Sequence, residues 1–385
     1  MKILQVNVVY GHGSTGRIVE TLHQQYLALG HDSYVLYGRG KRVGDPQVKR
    51  VGFLWEAKLW RFIQLFTGNL LGGSPLSTWN LKRHIKKIHP DVVHVHLING
   101  NMCNVFSLVR WLKKNHYHVV FTHHAKVLFA GGCGINLCQR YTEGCGNCLL
   151  KKHEFGPYAP DRSASIHRRL GTLWAEPNWA KHTFVSPWLM GEANKSPIFK
   201  REKGHVVYNP VNTDVFKPLE NETPLIEGDY VFFPSSMAGA LTKGSGYINE
   251  IAEKIKPLDL KLVHTEGRLD PNAPENVIDF GRVVSPKDMA NLYRHARATL
   301  LLSQFETFSM PTIESILCGT PVIGFEAGGP SSIETGGMAK FVPYGDVDAL
   351  VKALPSVIKC EPLIQRTYSL KAIAEQYLGL YKTEK

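Results

Sequence analysis

The chain has 385 residues, 43% hydrophobic and 20% charged, which excludes a disordered polymer and leaves room for two domains of ordinary size. No run of 18 uninterrupted apolar residues occurs, which excludes a simple membrane-spanning helix. The net charge of +12 is uneven: residues 1–217 hold 29 Lys and Arg against 12 Asp and Glu, and the remainder balances at −5. A half this basic expects an anionic counterpart, such as a membrane surface, a lipid diphosphate or nucleic acid.

The chain alternates strand-like and helix-like segments, the pattern of parallel α/β sheets. Lys2–Val9 reads as a first strand with no signal-peptide core, so a cytoplasmic protein is expected. Gly11-His-Gly-Ser-Thr-Gly16 fits G-x-G-x-x-G ahead of a helix over 16–30, where glycines permit a tight turn and close approach to an anion. The next strand, Ser33–Tyr37, ends without the acid of a nicotinamide fingerprint; Arg39 there suits a 2′-phosphate. An NADP-dependent oxidoreductase is therefore one reading, and a bare strand–helix turn another.

Leu54–Leu71 reads as a helix with aromatic and aliphatic residues around much of its circumference, and Trp79–His89 as a basic amphipathic helix. They either contact an anionic bilayer or pack in a core beside a solvated face. Strands follow at 91–96, 118–123, 182–186 and 204–208. His94 and His96 share one face of their strand, either flanking an acceptor or packed within the sheet.

Cys133, Cys138, Cys145 and Cys148 place four of seven cysteines in 16 residues, among five glycines. Four thiolates at these spacings suit a closed, structural tetrahedral zinc; an oxidised loop is the alternative. With the +17 half, the loop also admits a nucleic-acid-binding zinc protein, which leaves the second half without a role. Cys103, Cys318 and Cys360 read as ordinary buried thiols.

After a polar linker near 220–228, strands recur at 230–234, 260–264, 277–280, 298–303, 321–325 and 339–342, and 370–381 reads as a closing helix. Asp346-Val-Asp348 offers a D-x-D but precedes a helix, so capping explains it and no catalytic metal is expected. The most informative segment runs from Gln304 to Gly324. It puts Glu306 at the mouth of a strand and Glu314 one turn into the next helix, which Ser309 can cap and Pro311 can start. Two carboxylates and a helix N-terminus thus meet at the carboxyl end of a parallel sheet, where open α/β folds bind ligands. Amides of Phe308, Ser309 and Met310 suit a phosphate, and carboxylates accept hydrogen bonds from sugar hydroxyls.

Glu306-Thr-Phe-Ser-Met-Pro-Thr-Ile-Glu314, followed by Cys318-Gly-Thr-Pro-Val-Ile-Gly324, resembles the signature of family 4 retaining glycosyltransferases. Thr307 and Ser309 stand where many members have glycine. The resemblance implies a GT-B fold, two Rossmann-like α/β domains facing across a cleft, and a nucleotide-sugar donor. It implies that Glu314 holds the ribose, that Glu306 and His124 contact the sugar, and that Lys243 of Thr242-Lys-Gly244 meets the diphosphate with the 308–310 amides. Gly13 lies near donor and acceptor on this reading, and the loop 328–334 near the sugar. The family's further arginine is replaced by Ala238, so Arg282 or Arg268 is expected to substitute. Asn209–Phe216 resembles the family's crossover marker, with Pro210 in a glycine position.

The cysteine segment resembles an insertion in some bacterial polysaccharide glycosyltransferases of this family. The expected organisation is an acceptor-side domain at 1–218 with the cysteine loop at 131–148, a donor domain at 228–368, and a terminal helix at 369–385 returning to the first domain. The expected partners are a nucleotide sugar, a glycan or lipid-linked acceptor in surface-polysaccharide assembly, and the inner face of the cell membrane; no nucleic acid is expected. No protein nucleophile is assigned.

Overall fold

The computed structural model describes residues 1–134, 138–234, 241–265 and 270–382. It contains two compact units, one of Met1–Pro210 with the segment from Ile373 onward, the other Val211–Ala372. The chain leaves the first unit at Pro210, within the crossover marker and ahead of the polar linker. Ala238 and Arg268 lie outside the described residues.

In the first unit the order is β1 (Lys2–Val9), α1 (Gly13–Ala28), β2 (Asp32–Arg39), β3 (Val48–Arg50), α2 (Leu54–Thr67), α3 (Pro75–Ile88), β4 (Val92–Val95) and α4 (Val105–Lys114). Then come β5 (Val119–His123), α5 (Lys151–Glu154), α6 (Ser163–Gly171), β6 (Lys181–Phe184), α7 (Pro187–Asn194) and β7 (Gly204–Val206). The sheet order is β3-β2-β1-β4-β5-β6-β7, with every pairing parallel. Parallel pairing demands a crossover after each strand, and helices supply most of them. β3 is a short edge strand, Val-Lys-Arg, with too little alternation to betray itself in sequence. α1 begins at Gly13, three residues earlier than expected. Gly16 is buried inside it, where a Cβ would come within 3.1 Å of Val9.

The second unit runs β8 (Tyr230–Phe233), α8 (Ile248–Ile255), β9 (Lys261–His264), β10 (Val277–Asp279), α9 (Pro286–His295), β11 (Ala298–Leu301) and α10 (Met310–Leu317). It continues with β12 (Val322–Phe325), β13 (Ala339–Val342), α11 (Val347–Ala353) and α12 (Gln365–Tyr368). Its sheet order is β10-β9-β8-β11-β12-β13, again all parallel. A core of Val231, Ile251, Leu262, Leu300, Ile323 and Leu350 fills it.

The last helix, α13 (Leu370–Tyr381), sets Ile373, Ala374, Tyr377 and Tyr381 against Ile3, Ile18, Leu22 and Val92 of the first unit's core. Strand order reverses at β1/β4 in one sheet and at β8/β11 in the other. Such switch points leave a crevice beyond the strand ends.

Candidate functional site

At the second switch point, the 3₁₀ turn Leu241–Lys243 follows β8 and lies against the end of β11, with the Gln304 amide donating to the Thr242 carbonyl at 2.9 Å. Gly244 makes this approach possible: its φ is +82°, and a Cβ there would stand 2.1 Å from the Leu302 carbonyl oxygen. Lys243 Nζ is thereby brought to Glu306 Oε1 at 2.5 Å, and Ser303 Oγ donates to the same oxygen at 3.1 Å. The Glu306 backbone is clamped in turn. Its amide donates to Ala327 O at 2.8 Å and its carbonyl accepts from Gly329 N at 2.9 Å. A Cβ on Gly329 would meet the Thr307 carbonyl oxygen at 2.2 Å, so the 328–334 loop is zipped onto the Glu306 segment.

Ser309 caps α10, its side chain accepting from Thr312 N. Its φ of +78° lies in the left-handed region that favours glycine, which explains why glycine is the commoner family residue here. Phe308 is buried against Tyr368, ring centroids 6.0 Å apart, and Met310 opens the helix. Glu314, half-buried one turn on, accepts from the phenol of fully buried Tyr293 at 3.2 Å. Sequence reasoning missed Tyr293 and Ser303, because nothing in their local pattern points to the carboxylates they support. Arg282 is exposed in the loop after β10, the edge strand three places from β11. Asp346 caps α11 through Ala349 N, and Asp348 pairs with Lys254.

In the first unit, His96 and His124 line a small cavity at the ends of β4 and β5, together with Asn99, Thr122 and Val127. Gln5 orders them. Its Nε2 donates to Val19 O at 3.3 Å, which turns Oε1 toward His96 Nε2 at 3.2 Å. His96 must therefore donate from Nε2 and accept at Nδ1, where His124 Nε2 donates at 3.2 Å. Burial holds both rings neutral, His96 well below its usual range and His124 down to about 4. Of its two readings, flanking an acceptor or packed within the sheet, His94 takes the packed place. It is wholly buried, bonded to Thr122 Oγ1 and the Tyr381 hydroxyl at 2.6 Å each; alternation gave it the right face, but α13 covers that position. Gly13 has φ +65° and open space where a Cβ would stand.

The four cysteines of 133–148 line one cavity of about 20 Å³ with Arg140 and Phe155, and all four are free thiols. Beside it is a buried ion pair that the sequence did not disclose. Lys126 Nζ contacts Glu192 Oε2 at 2.5 Å, the two side chains 1% and 3% exposed. Gln139 and Tyr141 donate to the same carboxylate oxygen at 2.9 and 2.8 Å, and Lys195 pairs with the other oxygen. Burial alone would raise Glu192, but bonds from Lys126, Lys195 and Gln139 outweigh it and bring it down to about 2. Of the remaining cysteines, Cys103 and Cys318 are buried as expected, whereas Cys360 is exposed.

The family model described as Glycosyltransferase Family 4 matches residues 15–215, and that described as Glycosyl transferases group 1 matches 270–372. The chain belongs to glycosyltransferase family 4. The colanic acid biosynthesis glycosyl transferase WcaC of Escherichia coli (strain K12) is 22% identical over 411 residues, covering 99% of this chain and all of that one. Among solved structures, a sucrose-phosphate synthase from Thermosynechococcus elongatus superposes with a TM-score of 0.68 at 15% identity, covering 99% of this chain and 98% of that one. Anabaena Alr3699/HepE, in complex with UDP and glucose, does so with a TM-score of 0.62 at 15% identity and 99% coverage of each. These likenesses give the fold as two Rossmann-like units of GT-B type.

One surface of this glycosyltransferase is inverted. α2 buries Glu56 and Gln64, while Trp55, Leu59, Phe62 and Phe66 stand 58%, 48%, 60% and 51% exposed. Glu56 fixes that orientation by accepting from Leu76 N and Ser77 N at 2.7 Å each, at the start of α3, where a negative charge suits the helix dipole. Trp79 of α3, 60% exposed, carries Arg83 over its ring. No helix among the described residues is long and apolar enough to cross a membrane.

Proposed function

We propose that this glycosyltransferase moves a sugar, with retention, from a nucleotide diphosphate donor to a glycan or lipid-linked acceptor in surface-polysaccharide synthesis. The observation that carries the donor reading is the Lys243–Glu306 pair at the β8/β11 switch point, with Glu314 on the capped helix that follows. In this reading the donor parts the pair. The diphosphate takes Lys243 and the 308–310 amides, sugar hydroxyls donate to Glu306, and Glu314 accepts from the ribose. Neutral His124 serves a sugar hydroxyl, and Arg282 is a reserve cation for the phosphates.

The acceptor oxygen bonds to the anomeric carbon as the bond to the diphosphate oxygen breaks. The acceptor's proton passes to the departing phosphate, so neither a protein nucleophile nor a catalytic metal is required. Fixed positive charge counts most where the leaving group gains negative charge. The name of the Escherichia coli relative supports the polysaccharide setting, and the UDP-bound Anabaena structure makes UDP the first nucleotide to try.

The inverted face of α2 supports peripheral contact with an anionic membrane from the cytoplasmic side. Its aromatic stripe would enter the interface while Lys58, Arg61 and Arg83 meet lipid phosphates. Titration with UDP, GDP, ADP and NADP, read as the shift in thermal unfolding, tests the donor site. Stabilisation by one nucleoside diphosphate, reduced in Glu314→Ala, is expected. Stabilisation by NADP alone would overturn the reading in favour of the Gly11 loop.

A further inference from the structure

We propose that Cys133, Cys138, Cys145 and Cys148 bind one zinc ion, and that this ion braces α2 from beneath. Residues far enough apart to need a loop between them all line one cavity of about 20 Å³, room for a single small occupant. The donor set has the number and kind that a closed tetrahedral site requires. Among the described residues no three such side chains are yet gathered closely enough to hold a metal, so binding draws the sulfurs inward and consumes the cavity.

The surroundings suit that contraction. Gly144, Cys145, Gly146 and Asn147 all have positive φ, between +46° and +103°, a tight coil that presents Cys145 and Cys148 to the same space. The Arg140 amide donates to Cys138 Sγ at 3.4 Å and the Cys148 amide to Asp161 at 2.7 Å. Each thiol loses its proton to solvent as its Zn–S bond forms, leaving a site of charge −2, and Arg140 on the cavity wall offsets part of it.

The brace follows from what the loop touches next. Gln64 of α2 donates to Glu154 O at 3.2 Å, and Arg162 reaches Thr67 O at 3.4 Å. Tyr158 stacks on Phe66 with ring centroids 5.7 Å apart. Gly68 and Gly156 permit this closeness: a Cβ would stand 2.8 Å from Pro160 O in one case and 2.8 Å from a Leu65 methyl in the other. On its other flank the loop grips Glu192 through Gln139 and Tyr141.

The test uses the full chain purified under reducing conditions. Elemental analysis should find about one zinc per chain, and cobalt substitution should give the charge-transfer and d–d absorption of a tetrahedral tetrathiolate. Cys145→Ser or Cys148→Ser should abolish both, while Cys360→Ser keeps them. Hydrogen exchange after metal removal by a chelator should rise in 131–162 and in α2 but not in Val211–Ala372. A metal-free protein that takes up no added zinc, or one with the four cysteines in two disulfides, overturns the site. Zinc loss without a change in α2 exchange overturns the brace. Neither readout depends on sugar transfer or lipid, so the proposed function stands or falls separately.

Discussion

Unit 2 wraps its sheet in an apolar core and sets a charged pair, Lys243 and Glu306, at the strand ends. Unit 1 threads polar groups through its sheet: Gln5, His94, His96, Thr122, His182 and Thr183 are each at most 2% exposed. Most survive burial by bonding one another, His94 to Thr122, Thr122 to Thr183 and Tyr377, Gln5 to His96, and His182 bonds His123 through Nδ1; an unpaired buried polar group would cost about 1–3 kcal/mol. One switch point thus offers charge, suited to a leaving group that becomes more negative. The other offers neutral donors and acceptors, suited to hydroxyls. The same strand plan serves both because function resides in the loops and strand ends.

The largest expected break in this contrast is Glu192→Ala, which removes the carboxylate that pairs with buried Lys126 in unit 1 and should cost about 3–5 kcal/mol. All seven tryptophans lie between residues 55 and 188, so tryptophan fluorescence in denaturant reads unit 1 alone. Lys243→Ala acts on the other side. Transfer should slow by about 10²–10³-fold, the usual loss of a charge-stabilising group. The melting curve should move by no more than about 1 kcal/mol, since the pair is partly exposed.

Acid should separate the units next. Burial lowers His94 and His182 to about 3 and His124 to about 4, so the native state binds fewer protons than the unfolded state below about pH 6.5. Their contribution is complete above that pH and falls as pH drops toward the native values. The slope is about 1.4 kcal/mol per pH unit for each ring. Tryptophan-detected stability that stays flat from pH 7 to 5 would contradict the neutral-histidine picture. The smallest effect on binding is expected for Glu314→Ala, about tenfold weaker nucleoside diphosphate binding by calorimetry, equivalent to about 1.4 kcal/mol, alongside a loss of about 1–3 kcal/mol in stability as the buried Tyr293 hydroxyl loses this acceptor.

Near-continuous apolar runs such as Ala298–Leu301 and Val322–Phe325 made the central strands legible, because strands covered on both faces must be apolar along their length. Val48–Arg50 carries no such run and escaped notice. The Glu306 and Glu314 spacing was readable as local chemistry on one strand–helix unit. The Lys243 contact to Glu306 spans 63 residues and rests on the bare backbone of Gly244, which a sequence presents only as one more glycine. His94 and His96 look alike as letters; the tyrosines of α13 separate a packed ring from a cavity ring. The inversion of α2 was half visible, its aromatics evident but their exposure set by Glu56 capping a neighbouring helix.

The same closing helix imposes an order on synthesis. Tyr26 and Tyr381 share a buried hydrogen bond across 355 residues, and Ile373, Ala374 and Tyr377 complete the core around Ile3 and Leu22. At about 5–20 residues per second, a ribosome reaches Tyr381 roughly 20–70 s after Tyr26. Through that interval the nascent first unit lacks one wall of its core, while Val211–Ala372, contiguous in sequence, has all its parts before Tyr381 is added. The half made first is therefore finished last.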